Sequence, residues 1–506
     1  MSGGRIHNSM RNIVYRIISQ IANIVLKFVS RTVFIHILGV EYLGINGLFS
    51  EILQMLALAD LGFSTAMVFS MYKPLAEGDE TKLAQLVQLY KKIYTIIAIS
   101  ISVIGISLLP FLQYFVNLDQ GIPYLKVYYL LYLANTVSSY LVVYKTSILT
   151  ADQKNYLISK YDTIFNFIST IGCTVFLYLT KNFMIYLVTQ VVVTYARNFY
   201  CSYISQKMYP YINKRVEIIS KSESKMIFEN VKSVFIYKFA TTLVGSTDNT
   251  LISILVGTKS VGYYSNYSMV ISNITMIINI VFSSVTASIG NLIVEKNEKK
   301  NYRVYKTMQF VSFILSVVAI SSVYILINDF ITVWLGTEFT FDMVTVIAIV
   351  VNMYFSIVLM PIWSYREATG MYRQTKYVMV ITAIVNLVVS IILGKWIGLA
   401  GILFATSIAR LSTYFWYEPK LLFEQFFNEK VSKYYKSIGW NIAVAFVVIV
   451  IMSVVFNRFV PVTWMGFAAK MISVGSISLI LTLILYSRDE EMKNILCIAT
   501  SVLHRK

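Results

Sequence analysis

The chain has 506 residues, of which 57% are apolar and only 13% are charged, and its mean hydropathy is +0.67. A soluble domain carries roughly 25% charged residues, so an ordinary soluble enzyme is excluded and a bilayer is the expected solvent. The formal net charge is +18, from 43 Lys and Arg against 25 Asp and Glu, which reflects basic loops kept in the cytoplasm, an anionic substrate, or both.

The amino terminus, MSGGRIHNSMRN, lacks the basic, apolar and small-residue succession of a cleavable signal, so the first apolar stretch is expected to be retained. Apolar runs of bilayer length follow at about 12 to 38, 43 to 72, 93 to 112, 124 to 149, 161 to 180 and 182 to 205. A second set lies at about 230 to 256, 262 to 293, 305 to 328, 341 to 365, 376 to 396, 398 to 424, 438 to 459 and 463 to 487. The expected fold class is therefore an all-α polytopic membrane protein with 14 transmembrane helices. Its domains are an N-lobe at 1–205, a cytoplasmic linker at 206–229, a C-lobe at 230–424, and two further helices with a tail at 425–506.

Orientation follows from the basic residues, because positively charged short loops stay inside. With both termini cytoplasmic, 29 of the 43 Lys and Arg fall on the inner side and only Lys126, Lys181, Lys259, Lys395 and Arg458 on the outer side. The alternation holds through the whole chain, as an even helix number requires. Nine cations remain within apolar runs: Arg16, Lys27, Arg31, Lys145, Arg197, Lys232, Lys238, Arg410 and Lys470. Lys232 and Lys470 read as helix-end anchors.

An internal duplication is visible at an offset of 218, which lays RTVFIHILGVEYLG over NTLISILVGTKSVG and pairs Gly39 with Gly257 and Gly44 with Gly262. An offset of 217 pairs Asn135 with Asn352 and Ala151 with Ala368. Six helices per copy give both halves the same orientation, with the substrate expected to pass between two bundles that rock against each other.

The first helix carries the most patterned polarity. Asn12, Arg16, Gln20, Asn23, Lys27 and Arg31 are separated by 4, 4, 3, 4 and 4 residues, which at about 100° per residue places all six on one face. At 1.5 Å per residue the stripe runs for about 28 Å, close to the hydrocarbon thickness. Each buried Arg or Lys costs roughly 2.5 to 3.5 kcal/mol on insertion scales, so the stripe calls for a wet cavity or anionic partners. Arg suits phosphate because its planar fork donates two hydrogen bonds to one group. Snorkelling of Arg16 and Arg31 to the two surfaces, with Lys27 paired to a carboxylate, is the alternative.

Lys145, Arg197, Lys238 and Arg410 are further cations within the spans, and Lys238, Thr241, Gly245 and Asp248 form a shorter polar face at spacings 3, 4 and 3. Glu51, Asp60 and Asp248 are candidates for ion coupling or for local pairing. Cys173, Cys201 and Cys497 lie apart on apolar stretches, and His7, His36 and His504 are isolated. No disulfide framework, metal site or catalytic nucleophile with its base is expected. Nor is nucleic acid an expected partner.

The segments LGVEYLGINGLF at 38–49, LADLGFSTAMVFSMYKPLAEGD at 58–79 and TDNTLISILVGTKSVGYYSNYS at 247–268 resemble the Wzx-type polysaccharide flippases, within the superfamily that includes the multidrug and toxic compound extruders. The resemblance implies two six-helix lobes with a central cavity that alternates between membrane faces. It also implies a lipid-linked anionic glycan, undecaprenyl-pyrophosphate-linked oligosaccharide, moved from the inner to the outer leaflet of a bacterial plasma membrane. Arg16, Lys27 and Arg31, helped by Lys145, Arg197, Lys238 or Arg410, would then hold the pyrophosphate while the lipid tail stays in the bilayer. No cofactor is expected beyond coupling to H+, Na+ or the membrane potential. Expected partners are membrane lipids and the pathway's polymerase and glycosyltransferases. The similar lipid II flippases also carry two extra carboxy-terminal helices. A drug extruder of the same architecture and a membrane enzyme acting on the polymer remain as competitors.

Overall fold

The structure is a computed structural model that describes residues 23–57, 63–118, 121–152, 154–214, 216, 235–294 and 297–493. Among the described residues there is helix and no strand, as a bilayer solvent demands of any chain that does not close into a barrel. Among the described residues, seven helices are long and apolar enough to cross a membrane unaided, or eight when Met343–Val358 and Met360–Thr369, bent by 41°, count as one span. The protein is a multi-pass membrane protein.

The other apolar stretches lie on shorter or broken helices. Residues 23–38 form α1, and Gly39 at φ 88° separates it from α2, Val40–Leu56. Then come α3 (Phe63–Glu77) and α4 (Glu80–Ser107), with Asp79 capping α4 by accepting from the Lys82 amide at 2.8 Å. Helix α4 begins thirteen residues before the apolar run expected from 93, because its first turns are polar and extend the helix beyond the apolar stretch. The fourth run is divided into α5 (Leu125–Tyr140) and α6 (Val143–Ala151), followed by α7 (Asn155–Thr180) and α8 (Phe183–Met208).

After α9 (residues 235–246), a break at Thr247 starts a new helix, α10 (Asp248–Leu255). Next are α11 (Thr258–Val294), α12 (Glu298–Leu335), α13 (Met343–Val358) and α14 (Met360–Thr369). The spans expected at 376–396 and 398–424 are two helices that meet at a kink inside α15 (Tyr372–Ser412), where Ile397 and Gly398, the latter at φ 61°, are not helical. Only glycine adopts that conformation cheaply. The run continues as α16 (Tyr414–Leu422), and α17 (Ser432–Phe456) and α18 (Trp464–Leu485) complete the chain's described helices.

These helices form two compact units. One comprises Met1–Thr242 with Gly257–Gly262, and the other Leu243–Val256 with Tyr263–Lys506. In the first unit, the glycines paired by the 218 offset make a reciprocal helix contact. A Cβ on Gly44 would lie 2.1 Å from the Thr258 carbonyl oxygen, and one on Gly262 would lie 2.3 Å from the Val40 carbonyl oxygen. Val40 and Thr258 are themselves offset by 218, so equivalent residues of the two copies face each other. The Thr258 hydroxyl accepts from the Asn117 amide at 2.8 Å, and the Thr258 amide donates to the Asn117 carbonyl at 2.9 Å, fixing the crossing.

One end of this unit is closed by edge-on aromatic packing of Phe34, Tyr42, Tyr128 and Phe183, favoured by the ring quadrupoles. At the opposite end, the Lys154 ammonium lies 2.6 Å from the Asp152 carboxylate and 3.2 Å from the Tyr209 hydroxyl. The Lys154 hydrogen bond holds the Asp152 carboxyl below its usual range.

In the second unit, α12 packs against α13, α17 and α18. Lys470, expected as a helix-end anchor, is instead 5% exposed and donates to the Asp329 carboxylate and the Phe459 carbonyl, both at 2.6 Å. Asn441, fully buried, accepts from Tyr354 at 2.8 Å and donates to the Tyr486 hydroxyl at 2.9 Å, joining three helices and the turn after α18. A second buried pair ties α14 to α16, where Arg366 donates to both oxygens of Glu418 at 3.0 and 3.2 Å.

Breaking one side of a buried pair costs about 3–5 kcal/mol, whereas replacing both sides by apolar groups is often neutral. Lys470→Met should therefore lower the melting temperature of the detergent-solubilised protein strongly, and Lys470→Met with Asp329→Leu should restore most of it. Gly44→Val, which drives a side chain into backbone, should cost about 1–3 kcal/mol or more, while Gly245→Ala, with open space around it, should be tolerated. Thermal unfolding in detergent reads all four variants.

Candidate functional site

Arg16 and Asp60 lie outside the described residues. Asn12 and Gln20 of the expected stripe lie outside them too, while Asn23, Lys27 and Arg31 stay on one continuous helix, α1. Lys27 is exposed and Arg31 half-buried. Arg31 has the phenols of Tyr186 and Tyr132 as electrostatic neighbours, and the Tyr132 hydroxyl in turn donates to Asn46 at 2.6 Å. Helices α1, α2, α5 and α8 thus bring one guanidinium, two phenols and an amide together inside the first unit. Hydroxyls and a guanidinium are donors suited to an oxyanion.

The remaining cations of this unit differ in their surroundings. Arg197 is held by Asp162, to which its Nε donates at 2.6 Å and its Nη2 pairs as well; its Nη1 donates to Asn198 at 2.7 Å. Asn198, 2% exposed, donates onward to Ser138 at 3.0 Å. Lys145 is half-buried on α6, with its ammonium 5.8 Å from the centre of the Tyr144 ring and the Lys91 ammonium within electrostatic reach. Lys238 and Glu51 are half-buried on α9 and α2.

The second unit holds a cluster that the spacing of charges alone does not disclose. Asp248 opens α10 directly after the helix break at Thr247. Its Oδ1 is buried without a hydrogen-bond partner, the Thr406 hydroxyl hydrogen-bonds the carboxyl group, and Arg410 is its charged neighbour. Beside it, the Asn386 amide donates to Thr406 at 3.1 Å and Thr247 donates to Asn386 at 3.4 Å; one turn along α15 from Asn386, the fully buried Ser390 hydroxyl has no partner. Arg410 donates through Nη1 to the Asn352 carbonyl at 3.2 Å and to the Ser356 hydroxyl at 2.9 Å.

A buried carboxylate oxygen and a buried hydroxyl left without donors cost free energy that a small cation or a proton would recover. Helix discontinuities at membrane depth are places where side chains and freed backbone groups handle ions. Asp248 was legible in the sequence as an acid in an apolar run. Asn386, Thr406 and Ser390 were missed because single amides and hydroxyls in apolar helices are ordinary packing residues until their neighbours are known.

The chain belongs to the family of polysaccharide biosynthesis proteins, whose model matches residues 9–287. No curated protein matches the sequence. Among solved structures, the fold is similar to that of the lipid II flippase MurJ in an inward closed conformation, with a TM-score of 0.69 and 15% identity, covering 94% of this chain and 99% of that one. It is also similar to a multidrug resistance MATE family transporter of the MOP superfamily in an inward-facing conformation. There the TM-score is 0.54 and the identity 13%, covering 79% of this chain and 96% of that one.

Asp162 is the charge that balances Arg197, so Asp162→Asn should destabilise the first unit by about 3–5 kcal/mol at most, less for its partial exposure. The double variant Asp162→Leu with Arg197→Met should recover much of the loss. Melting curves of the three proteins check this. Full stability of Asp162→Asn would mean that Arg197 does not depend on that carboxylate.

Proposed function

We propose that this protein is a flippase that moves undecaprenyl-pyrophosphate-linked oligosaccharide repeat units from the inner to the outer leaflet, by alternating access, for surface polysaccharide synthesis. It works in the bacterial plasma membrane with both termini in the cytoplasm and is not an enzyme. Family membership across residues 9–287 is the observation that carries this reading. The likeness of fold to a lipid II flippase over 94% of the chain supports it.

A diphosphate crosses an apolar slab only if fixed donors replace its hydration. Arg31, with Tyr132 and Tyr186 beside it, supplies such donors, and Lys27 and Arg16 continue the same helical face. The lipid tail stays in the bilayer, so only the headgroup needs a protein path. Arg197, balanced by Asp162, serves the bundle's architecture in this account more than the substrate. Asp248 takes up the coupling cation, H+ or Na+, and no other cofactor is required. The polymerase and glycosyltransferases of the pathway are the protein partners.

Lipid II flipping is the second reading, favoured by the match to 99% of the lipid II flippase chain. A drug extruder is disfavoured because the cations within the apolar runs outnumber the acids there.

In cells that depend on this protein for surface polymer, Arg31→Ala should cut export at least tenfold with unchanged protein in the membrane, and Arg31→Lys should restore part of it. Immunodetection of polymer and of protein reads both. Normal export from Arg31→Ala would remove Arg31 from the substrate path. Asp248→Asn should abolish export under every ion gradient tested, and full activity of that variant would exclude Asp248 from coupling.

A further inference from the structure

The second unit contains a cavity of about 140 Å3 between α11 and α13. One wall is a face of α11 with Tyr264, Ser268, Ser272 and Thr275, at spacings 4, 4 and 3, one side of a helix. The other wall is α13, with Asn352, Met353 and Ser356. No Asp, Glu, Lys or Arg is among the lining residues.

The donors and acceptors at this cavity are not used equally. Asn352 is a fixed strut, because its amide donates to the Leu403 carbonyl at 2.6 Å and its Oδ1 accepts from Ser407 at 2.7 Å. Ser356 is held from behind: it donates to the Asn352 carbonyl at 2.9 Å and accepts from Arg410 at 2.9 Å. Ser272 donates to the Ser268 carbonyl at 2.6 Å, which leaves its lone pairs directed away from that bond. Hydroxyl-bearing helix faces in membranes ordinarily close on each other, small residue against small residue. Here the two faces stand apart and leave a half-open cavity between them.

A hydroxyl both donates and accepts, and so does each hydroxyl of a sugar. An uncharged, hydroxyl-rich cavity cannot neutralise a diphosphate, but it can exchange its water for a pyranose ring without loss of hydrogen bonds. Ile271, Ile349 and Met353 supply apolar surface for the C–H face of such a ring, in the usual mixture of a small-molecule site.

We propose that the cavity between α11 and α13 is a sugar subsite, which receives one ring of the substrate's glycan on the hydroxyls of Ser268, Ser272, Thr275 and Ser356. Arg410 is its positioning residue, since it orients Ser356 from behind. This inference rests on the flippase reading.

The test uses the purified full-length protein in detergent and measures binding of undecaprenyl diphosphate, bare or bearing one glucose, galactose or N-acetylglucosamine. At least one sugar-bearing lipid should bind tenfold or more tighter than the bare lipid. Ser272→Phe, which fills the cavity, should remove that advantage and leave bare-lipid affinity unchanged. Should the bulky variant fail to fold, Ser268→Ala with Thr275→Val removes hydroxyls without adding volume and should also erase the advantage. Equal binding of bare and sugar-bearing lipids, or an advantage that survives these substitutions, overturns the subsite alone. Absence of binding by every lipid overturns the flippase reading with it.

Discussion

A charge or polar group in hydrocarbon must find a partner, and much of this chain's interior is arranged by that constraint. Asp329 meets Lys470, Glu418 meets Arg366, and Asp162 meets Arg197, each across two different helices. Such pairs add little net stability over apolar packing, but an unmatched member is costly. They therefore select one helix register over its neighbours more than they strengthen the bundle. Asn441 acts in the same sense, tying α17 to α13 and to the turn after α18 through the hydroxyls of Tyr354 and Tyr486.

Against this background the groups that are not matched in the same way become informative. Asp248 Oδ1, at a helix break, and the Ser390 hydroxyl, one turn along α15 from Asn386, are buried without hydrogen-bond partners. Arg410 donates only to a carbonyl and a hydroxyl within the described contacts, while its field reaches Asp248. Arg410 thus stands between an acid suited to a cation and a cavity suited to a sugar. Any ligand that shifts Ser356 changes what the guanidinium offers to Asp248. If Asp248 takes up the coupling cation and the cavity a sugar, as proposed, this is a short physical route between the two inside one unit.

The helical, multi-pass architecture was legible in the sequence because apolar length is set locally by the bilayer. The duplication was legible for a similar reason. Gly39 and Gly257 both take positive φ, and Gly44 and Gly262 both admit a neighbouring backbone where no Cβ fits. What was not legible is set by packing between residues far apart in the chain. Lys470 looked like a surface anchor until α18 brought it to Asp329, 141 positions away. The break at Thr247 was hidden because the expected run at 230 to 256 is apolar on both sides of the polar segment that holds it. Asp162, Asn386 and Thr406 carried no periodic signal, so only the fold could connect them to Arg197 and Asp248.

The account stands on movement of a diphosphate-linked glycan across the bilayer by this protein alone. The most direct measurement is translocation in proteoliposomes, with a fluorescent undecaprenyl-diphosphate-linked oligosaccharide placed in both leaflets and an outside reagent that destroys only exposed label. With the purified protein present and an ion gradient imposed, label from the inner leaflet should become accessible within minutes. Empty liposomes should retain about half. Retention of the same half in proteoliposomes, under every gradient imposed, would contradict the account.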